Sequence, residues 1–325
     1  MSKDVSLQVD AFIARLRRRQ TVGSFNVAIE SAKILHNVVS GSRWPDQDHL
    51  IDLLQHVGRR LIAAQPGEIA VANAVRRVLN IVREEATKLP LPENPKEFRE
   101  QLRAGVKQAI LDMIDDFLHS GPHIASQALQ HVHPNDRVLT FGWSKTVLEF
   151  LKEAGKLRKF QVMVVEAAPA CSGHQMAVEL ATAGIDTTLV TDAAVLALMP
   201  KVDKIILGAH AVTADGGMIA TAGSLLVAEV AKACKRPIIV CSGMYKVSPL
   251  GLMQQQEVLS LNSCPNGVYD FEEGDVVERV EVVNPHYDFV PAELISVLVT
   301  NMGTHPPSYM SHMLDDVYSK LDLVI

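Results

Sequence analysis

The sequence lacks the features of a membrane or secreted protein. Its 325 residues are 48% hydrophobic, yet it contains no run of about 18 uncharged apolar residues, the length that a membrane-spanning helix needs. Charged residues are spread through the first twenty positions, which hold no apolar core like that of a secretory signal. We therefore expect no membrane partner and a cytoplasmic location, in the cytosol.

Cysteine is scarce. The four cysteines show no Cys-x-x-Cys spacing and no flanking histidine pattern; they are Cys171, Cys234, Cys241 and Cys264. A chain of this length buries about 75% of the surface that its unfolded form exposes, so its core needs no disulfide or metal to stabilise it. We expect four buried free thiols in a reducing compartment, with no bound metal and no cofactor.

An excess of positive charge is also missing. Lysine and arginine number 31 against 37 acidic residues, which gives a formal net charge of -6. This balance argues against DNA or an anionic membrane as the main partner. Positive charge is concentrated locally at Arg15, Arg17, Arg18 and Arg19. Such a cluster is either a solvated helix face or a docking patch for an acidic or phosphorylated partner.

The spacing of apolar residues changes near residue 130. Before it, apolar residues recur every three or four positions, as in residues 50–62 and 69–85, which is typical of amphipathic helices. After it, short apolar runs alternate with stretches of helical pattern, which indicates a parallel sheet with helical crossovers. The sequence thus predicts an α/β fold with a helical domain over residues 1–130 and a parallel-sheet domain over residues 131–325.

The loops that follow the predicted strands contain no GxGxxG, GxxxxGK[ST] or GxSxG motif, so the usual nucleotide-binding and hydrolase signatures are absent. Ligands of open parallel sheets bind at the carboxyl ends of the strands. There, Ser144, Lys145 and Thr146 begin a predicted helix whose free N–H groups could hold a phosphate. The alternative is a tight turn in which Ser144 is an ordinary helix cap.

Two further candidates are weaker. His210 follows a later strand and could act as a base, but no carboxylate at a useful spacing accompanies it. Cys171 and His174 lie near another helix start, where a thiolate could be activated. No third residue that would orient the histidine is evident, so a packed cysteine beside a helix-start histidine is the plainer interpretation. We predict that neither site is catalytic.

Several segments together carry a family resemblance. The segments are residues 58–66 (GRRLIAAQP), 73–85 (NAVRRVLNIVREE), 166–177 (EAAPACSGHQMA), 183–188 (AGIDTT), 244–249 (MYKVSP), 273–275 (EGD) and 287–295 (YDFVPAELI). Their order and spacing resemble the alpha, beta and delta regulatory subunits of eukaryotic translation initiation factor 2B, and the arginine-rich helix with the AAQP turn favours the beta type. The resemblance spans roughly residues 10–320.

The resemblance implies a helical domain followed by a Rossmann-like domain, a fold shared with methylthioribose-1-phosphate and ribose-1,5-bisphosphate isomerases. Those isomerases place a catalytic Cys after the first Rossmann strand and a catalytic Asp in a Gly-Ala-Asp pattern. The matching positions here are Gly142 and His210. Since glycine can neither donate nor accept the proton that isomerisation moves, the resemblance implies a chain that is not an enzyme.

The resemblance also implies partners. Alpha, beta and delta subunits form a regulatory core, and gamma and epsilon subunits exchange GDP for GTP on initiation factor 2; the core senses phosphorylation of that factor's alpha subunit. We expect the pairing surface with a delta-type subunit to include residues 183–199 and 287–307. Two alternatives stay open: a sugar-phosphate isomerase with an altered residue set, and a vestigial pocket at Ser144, Lys145, Thr146 and His210 that binds a phosphorylated metabolite without turning it over.

Overall fold

The computed structural model describes residues 2–89, 94–249, 252–270, 272, 274, 279–323 and 325. Its α-helices are α1 (Lys3–Arg17), α2 (Ser24–Gly41), α3 (Gln47–Ala64), α4 (Ile69–Lys88), α5 (Pro95–Ser126), α6 (Ala128–His131), α7 (Lys145–Gly155), α8 (Gly173–Thr182), α9 (Val195–Leu198), α10 (Ser224–Ala233), α11 (Leu252–Leu259) and α12 (Met310–Val317). Its strands are β1 (Arg137–Phe141), β2 (Gln161–Val165), β3 (Asp186–Val190), β4 (Lys204–Gly208), β5 (Ala211–Thr213), β6 (Met218–Thr221), β7 (Ile238–Cys241), β8 (Val247–Ser248), β9 (Tyr287–Val290), β10 (Val297–Thr300) and β11 (Gly303–His305). The predicted fold class, helical first and then α/β, is confirmed.

A seven-stranded sheet organises the second half of the chain. Its strand order is β11-β10-β7-β4-β1-β2-β3, and every neighbouring pair is parallel except the antiparallel pair of β10 and β11. The interior strand β7 is buried along its whole length, because helices cover both faces of such sheets and the strands become apolar throughout. By contrast, the edge strand β3 is largely exposed.

Contacts divide the chain into two compact units. We call Met1–His119, Tyr245–Pro249 and His312–Ile325 the helical unit, and Ser120–Met244 and Leu250–Ser311 the sheet unit. The division that we predict from the sequence at residue 130 is contiguous, whereas the helical unit takes in two later segments. Spacing of apolar residues reports local structure, so it does not reveal that the chain returns to its first helices.

The helical unit forms around the apolar faces of α1 to α4. Asp46 begins α3 by accepting a hydrogen bond from the His49 backbone N–H at 2.9 Å, a standard way to satisfy a free N–H at a helix start. Gly58 of α3 faces Val75 of α4 so closely that an added Cβ would lie 2.5 Å from the valine Cγ1. The two helices therefore approach closely at this glycine, and the fully buried Leu54 and Leu79 belong to the same core.

The arginine face of α4 holds the C-terminal segment. Arg83 donates through Nε and Nη2 to the two carboxylate oxygens of Asp322, at 2.8 and 2.9 Å, and Asp322 is completely buried. Two turns earlier, Arg76 donates to the Leu323 carbonyl at 3.3 and 3.1 Å. Burial lowers the pKa of the Arg76 guanidinium, with Tyr318 acting in the opposite direction.

The same face of α4 also donates hydrogen bonds to backbone carbonyls of later segments of the chain. Arg77 and Asn80 both donate to the Val317 carbonyl, at 3.0 and 3.1 Å. Asn73 donates to the carbonyl of Tyr245 at 3.0 Å. The polar residues of α4 thus satisfy carbonyls of two segments that are far away in sequence, which explains why an otherwise apolar buried helix carries so many amide and guanidinium groups.

Other sequence-based expectations fare differently. Gly121, Pro122 and His123 favour a stop or a kink in a helix, and α5 continues past them to Ser126. Of the expected buried thiols, Cys241 is buried, Cys171 and Cys234 are partly exposed and Cys264 is exposed. The EGD segment at residues 273–275 lies outside the described residues except for Gly274, and residues 90–93 also lie outside them.

Candidate functional site

Two loops meet at the centre of the sheet's carboxyl edge. β2 and then β3 follow β1 on one side, whereas β4 lies on its other side, with Val138 paired to Lys204 and Leu139 to Ile205. Open parallel sheets bind ligands where the order of strands reverses in this way. We call residues 142–146 and 208–210, which follow β1 and end β4, the strand-end site.

Gly142 is the first residue of this site, and it occupies a crowded position. Its φ of +61° is in the left-handed region, and its N–H donates to the Val165 carbonyl at 3.0 Å. A Cβ added here would lie 3.0 Å from Ser172 Oγ and 3.2 Å from Ala167 Cβ. A side chain at this position would therefore need a strained backbone and neighbouring side chains that shift by a few tenths of an ångström.

Ser144 and Lys145, at the start of α7, already have intramolecular partners. Ser144 caps the helix by accepting from the Val147 N–H at 3.4 Å. Its Oγ lies against Gly208, where an added Cβ would be only 2.2 Å away. Lys145 is exposed and its ammonium lies 3.8 Å from the Glu149 carboxylate, while Thr146 is half-buried. This is the geometry of the capped turn that the sequence leaves open as an alternative.

His210 lies against an aromatic side chain that is distant in sequence. Its ring stacks on that of Tyr287, with 4.4 Å between centroids and 23° between planes, and its Nδ1 is 3.5 Å from the phenolic oxygen. The His210 N–H donates to the Ile219 carbonyl at 2.8 Å. The imidazole is thus packed against the phenol ring of a residue that lies 77 positions later in the chain.

The loop between β2 and α8 supplies the third residue that the sequence did not reveal. Glu166, the residue after β2, places a carboxylate oxygen 3.5 Å from His174 Nε2, and the Cys171 sulfur completes the group. His174 lies eight positions after Glu166. Residues that far apart do not touch along one helix or strand, so the turn between the two elements brings them together.

The basic cluster of α1 borders a cleft in the helical unit. The cleft has a volume of about 520 Å³, and its walls come from α1 and α3. Arg17 and Arg18 lie on one side and Arg60 on the other, where Arg60 is ion-paired with Asp10. Arg15 instead pairs with Glu30 at 3.1 Å. Part of the predicted patch therefore surrounds a concave surface, which a solvated helix face alone would not create.

Among the described residues, no helix is both long enough and apolar enough to cross a membrane.

Comparison with known proteins identifies the family. The sequence model of the initiation factor 2 subunit family matches residues 20–307. The chain is 34% identical to translation initiation factor eIF2B subunit beta of Schizosaccharomyces pombe, with 98% of this chain and 97% of that protein covered. It is 35% identical to the subunit beta of Dictyostelium discoideum, with 97% and 96% covered.

Solved structures agree with the sequence comparison. The crystal structure of eIF2B beta from Chaetomium thermophilum superposes with a TM-score of 0.79 at 28% identity, covering 98% of this chain and 93% of that one. The tetrameric eIF2B-beta2-delta2 complex of the same organism contains a chain with a TM-score of 0.79 at 30% identity, covering 97% and 95%.

An enzyme is also among the relatives. The ribose 1,5-bisphosphate isomerase of Methanocaldococcus jannaschii is 24% identical, with 95% of this chain and 94% of that protein covered. The identity is lower than with the two beta subunits, although all three comparisons extend over almost the whole chain. The chain belongs to the initiation factor 2 subunit family, in which it resembles the beta subunits of eIF2B.

Proposed function

We propose that the chain is a non-catalytic regulatory subunit of the guanine-nucleotide exchange complex that reactivates translation initiation factor 2 in the cytosol. In this role it helps the complex to sense phosphorylation of the factor's alpha subunit. The observation that carries the proposal is the near full-length identity of 34% and 35% to two eIF2B beta subunits. The partners that follow are the alpha, gamma, delta and epsilon subunits and initiation factor 2 itself.

The strand-end site supports a non-catalytic role. Sugar-phosphate isomerisation needs a proton donor and a proton acceptor close to the reacting carbon. Gly142 offers no side chain, and Ser172 Oγ and Ala167 Cβ take up the space that a side chain would need. His210 packs on Tyr287 where the related enzymes carry a carboxyl.

The exposed edge of the sheet supports assembly with a delta-type subunit. β3 has no neighbouring strand on its outer side among the described residues, and residues 183–199 expose Leu189 to 43% and Leu196 to 65%. Exposed sheet edges and large apolar side chains mark surfaces that a partner covers. In the C. thermophilum tetramer, beta subunits assemble with delta subunits. Met302, in the second proposed segment, is 63% exposed.

The basic cleft supports contact with a phosphorylated partner. A phosphoserine carries a charge of about -1.5 to -2 near neutral pH and binds arginine through charge-assisted hydrogen bonds. Arg17, Arg18 and Arg60 surround a concavity in the helical unit. The proposal therefore assigns this cleft to the phosphorylated alpha subunit of initiation factor 2.

A reconstituted exchange assay tests the assembly. The chain is assembled with its sister subunits, and GDP release from initiation factor 2 is measured. Leu196→Glu is expected to weaken assembly with the delta-type subunit at least about tenfold, because it places a charge in a desolvated interface. Leu7→Glu, at a 60% exposed position outside the proposed surface, is the control. A stable monomer that gains nothing from a delta-type partner would contradict the proposal.

The same assay tests the sensing role when it is repeated with phosphorylated initiation factor 2. Arg17→Glu with Arg18→Glu is expected to relieve the inhibition by the phosphorylated factor, whereas Lys96→Glu, on the exposed start of α5, is expected to leave it intact. Equal inhibition of both variants would remove the cleft from the proposal without affecting subunit identity.

The isomerase relative favours one alternative function, which turnover assays separate from the first. We expect no conversion of ribose-1,5-bisphosphate or methylthioribose-1-phosphate above background. Turnover that is lost in His210→Ala would establish the enzyme instead. Calorimetry with the same sugar phosphates, repeated on Ser144→Ala, tests whether a vestigial pocket at Ser144, Lys145, Thr146 and His210 still binds such a metabolite.

A further inference from the structure

The loop between β2 and α8 gathers three metal-ligating side chains. Glu166, Cys171 and His174 each contribute one ligand atom, a carboxylate oxygen, a thiol sulfur and an imidazole nitrogen, and these atoms all lie within 4.8 Å of one another. The His174 Nε2 and Glu166 Oε2 atoms are 3.5 Å apart. This cluster takes no part in the function proposed above.

We propose that Glu166, Cys171 and His174 form a binding site for Zn²⁺ that leaves a fourth coordination position open. Zinc bonds of 2.0–2.3 Å in a tetrahedral site place neighbouring ligand atoms about 3.3–3.8 Å apart. The distance between His174 and Glu166 already lies in that range. The thiol sulfur lies within 4.8 Å of both other ligand atoms, so a movement of about 1 Å brings it close to that range.

The surrounding backbone holds this loop in one shape. Both carboxylate oxygens of Asp192 accept backbone N–H groups, from Ala167 at 2.9 Å and from Ala168 at 2.7 Å. Ala167 and Cys171 have φ values of +60° and +49°, a backbone conformation that residues with a side chain rarely adopt. Such conformations persist only where neighbouring groups enforce them, and they cluster at functional sites.

Close packing also brings the end of β2 to the first turn of α8. The Gly173 N–H donates to the Glu166 carbonyl at 2.9 Å, and a Cβ on Gly173 would lie 2.3 Å from the Val165 carbonyl oxygen. The His174 N–H donates to the Cys171 carbonyl at 3.1 Å. Glycine at 173 therefore permits the approach that puts Glu166 beside His174, and the three ligand residues are neighbours before any metal binds.

The donor set selects the metal. A thiolate with an imidazole suits zinc and disfavours magnesium and calcium, which prefer oxygen ligands alone. The side chains of Glu166 and His174 are 22% and 54% exposed, so an ion can reach the site from solvent. Binding displaces the proton of the Cys171 thiol and leaves water or a partner's side chain to complete the tetrahedron.

Cobalt substitution tests the site on the tag-free full chain. Co²⁺ is titrated as a spectroscopic probe and is then displaced by Zn²⁺. A cysteine ligand produces a sulfur-to-cobalt charge-transfer band, and we expect this band at a stoichiometry of one. Cys171→Ser is expected to abolish it, and His174→Ala to weaken Co²⁺ binding more than about tenfold, since changes even in the groups that support metal ligands cost 10–100-fold.

Cys234→Ser is the matched control and is expected to keep the band. Cys234 is also partly exposed, but it follows the C-terminal end of α10. It therefore lies near the amino end of β7 and not at the carboxyl end of a strand. Far-ultraviolet circular dichroism checks that each variant is folded. Absence of the band in the wild-type chain, or an equal band in Cys171→Ser, would overturn the proposal. A band that Zn²⁺ displaces and that depends on Cys171 supports it.

Discussion

The ion pair between Arg83 and Asp322 allows a prediction of which of its two residues costs more stability when it is replaced. Asp322 is completely buried, whereas Arg83 keeps 26% of its side chain exposed. Removal of either residue breaks the same two hydrogen bonds, of 2.8 and 2.9 Å. The consequences differ, because only one of the two residues can recover contact with water when its partner is lost.

Arg83→Met leaves a buried carboxylate without its cation, which costs about 3–5 kcal/mol in comparable buried pairs. Asp322→Asn leaves an arginine that is partly hydrated and keeps an acceptor oxygen of similar shape. We therefore expect Asp322→Asn to cost less, about 1–3 kcal/mol, in the range of a lost charged hydrogen bond. The methionine variant should be the more destabilising of the two by at least about 1 kcal/mol.

Urea unfolding followed by circular dichroism gives the two free energies. Hydrogen exchange then checks that protection is lost first in residues 312–323, which the arginine face of α4 holds. Arg59→Met, at an exposed position of α3, serves as the control and should change stability by less than about 0.5 kcal/mol. A larger loss in Asp322→Asn than in Arg83→Met would refute the reasoning from burial, and so would two losses that do not differ from the control.

Two further predictions concern the buried Gly142 and the half-buried Lys246. Gly142→Cys is expected to destabilise the chain by about 1–3 kcal/mol, because it combines a left-handed backbone with the close neighbours Ser172 and Ala167. The double variant Gly142→Cys with His210→Asp should show no isomerase turnover. Turnover of a sugar phosphate by the double variant would contradict this. Burial lowers the pKa of the Lys246 ammonium to about 8, against the opposing influence of the Glu68 carboxylate. Between that value and the pKa of an unfolded lysine near about 10.4, the unfolded chain binds more protons, so the free energy of unfolding rises with pH. Lys246→Met should stabilise the chain at pH 7 and remove its share of the rise between pH 8 and 10, as measured by urea unfolding at several pH values; identical pH profiles of the two chains would show that burial does not perturb the Lys246 ammonium.

The sequence predicts the fold class correctly because fold class depends on the local spacing of apolar residues. The apolar spacing of residues 50–62 and 69–85 anticipates α3 and α4, and the alternation after Arg137 anticipates β1, β2, β3, β4 and β7. Pro122 is an exception to such local rules. Proline often stops or kinks a helix because it lacks an N–H donor, but α5 continues past it to Ser126.

Only part of the candidate site can be predicted from the sequence. Gly142, Ser144 and His210 could be selected because they follow strands, and parallel sheets place their sites there. The sequence could not show that His210 stacks on Tyr287, 77 positions later, or that Ser144 packs on Gly208. Likewise, Cys171 and His174 were evident as neighbours, whereas the turn that returns Glu166 to them depends on the close packing of the loop.

What the sequence determined by itself is the order and type of its elements, and the absence of a side chain at Gly142. Both follow from local physical chemistry: the period of apolar residues selects helix or strand, and glycine has no group to exchange a proton. Only the tertiary structure decided that the chain's end returns to α4, where Asp322 is buried against Arg83, and that Glu166 meets Cys171 and His174. Those contacts join residues that no period relates, so they arise only when the packed elements bring distant positions together.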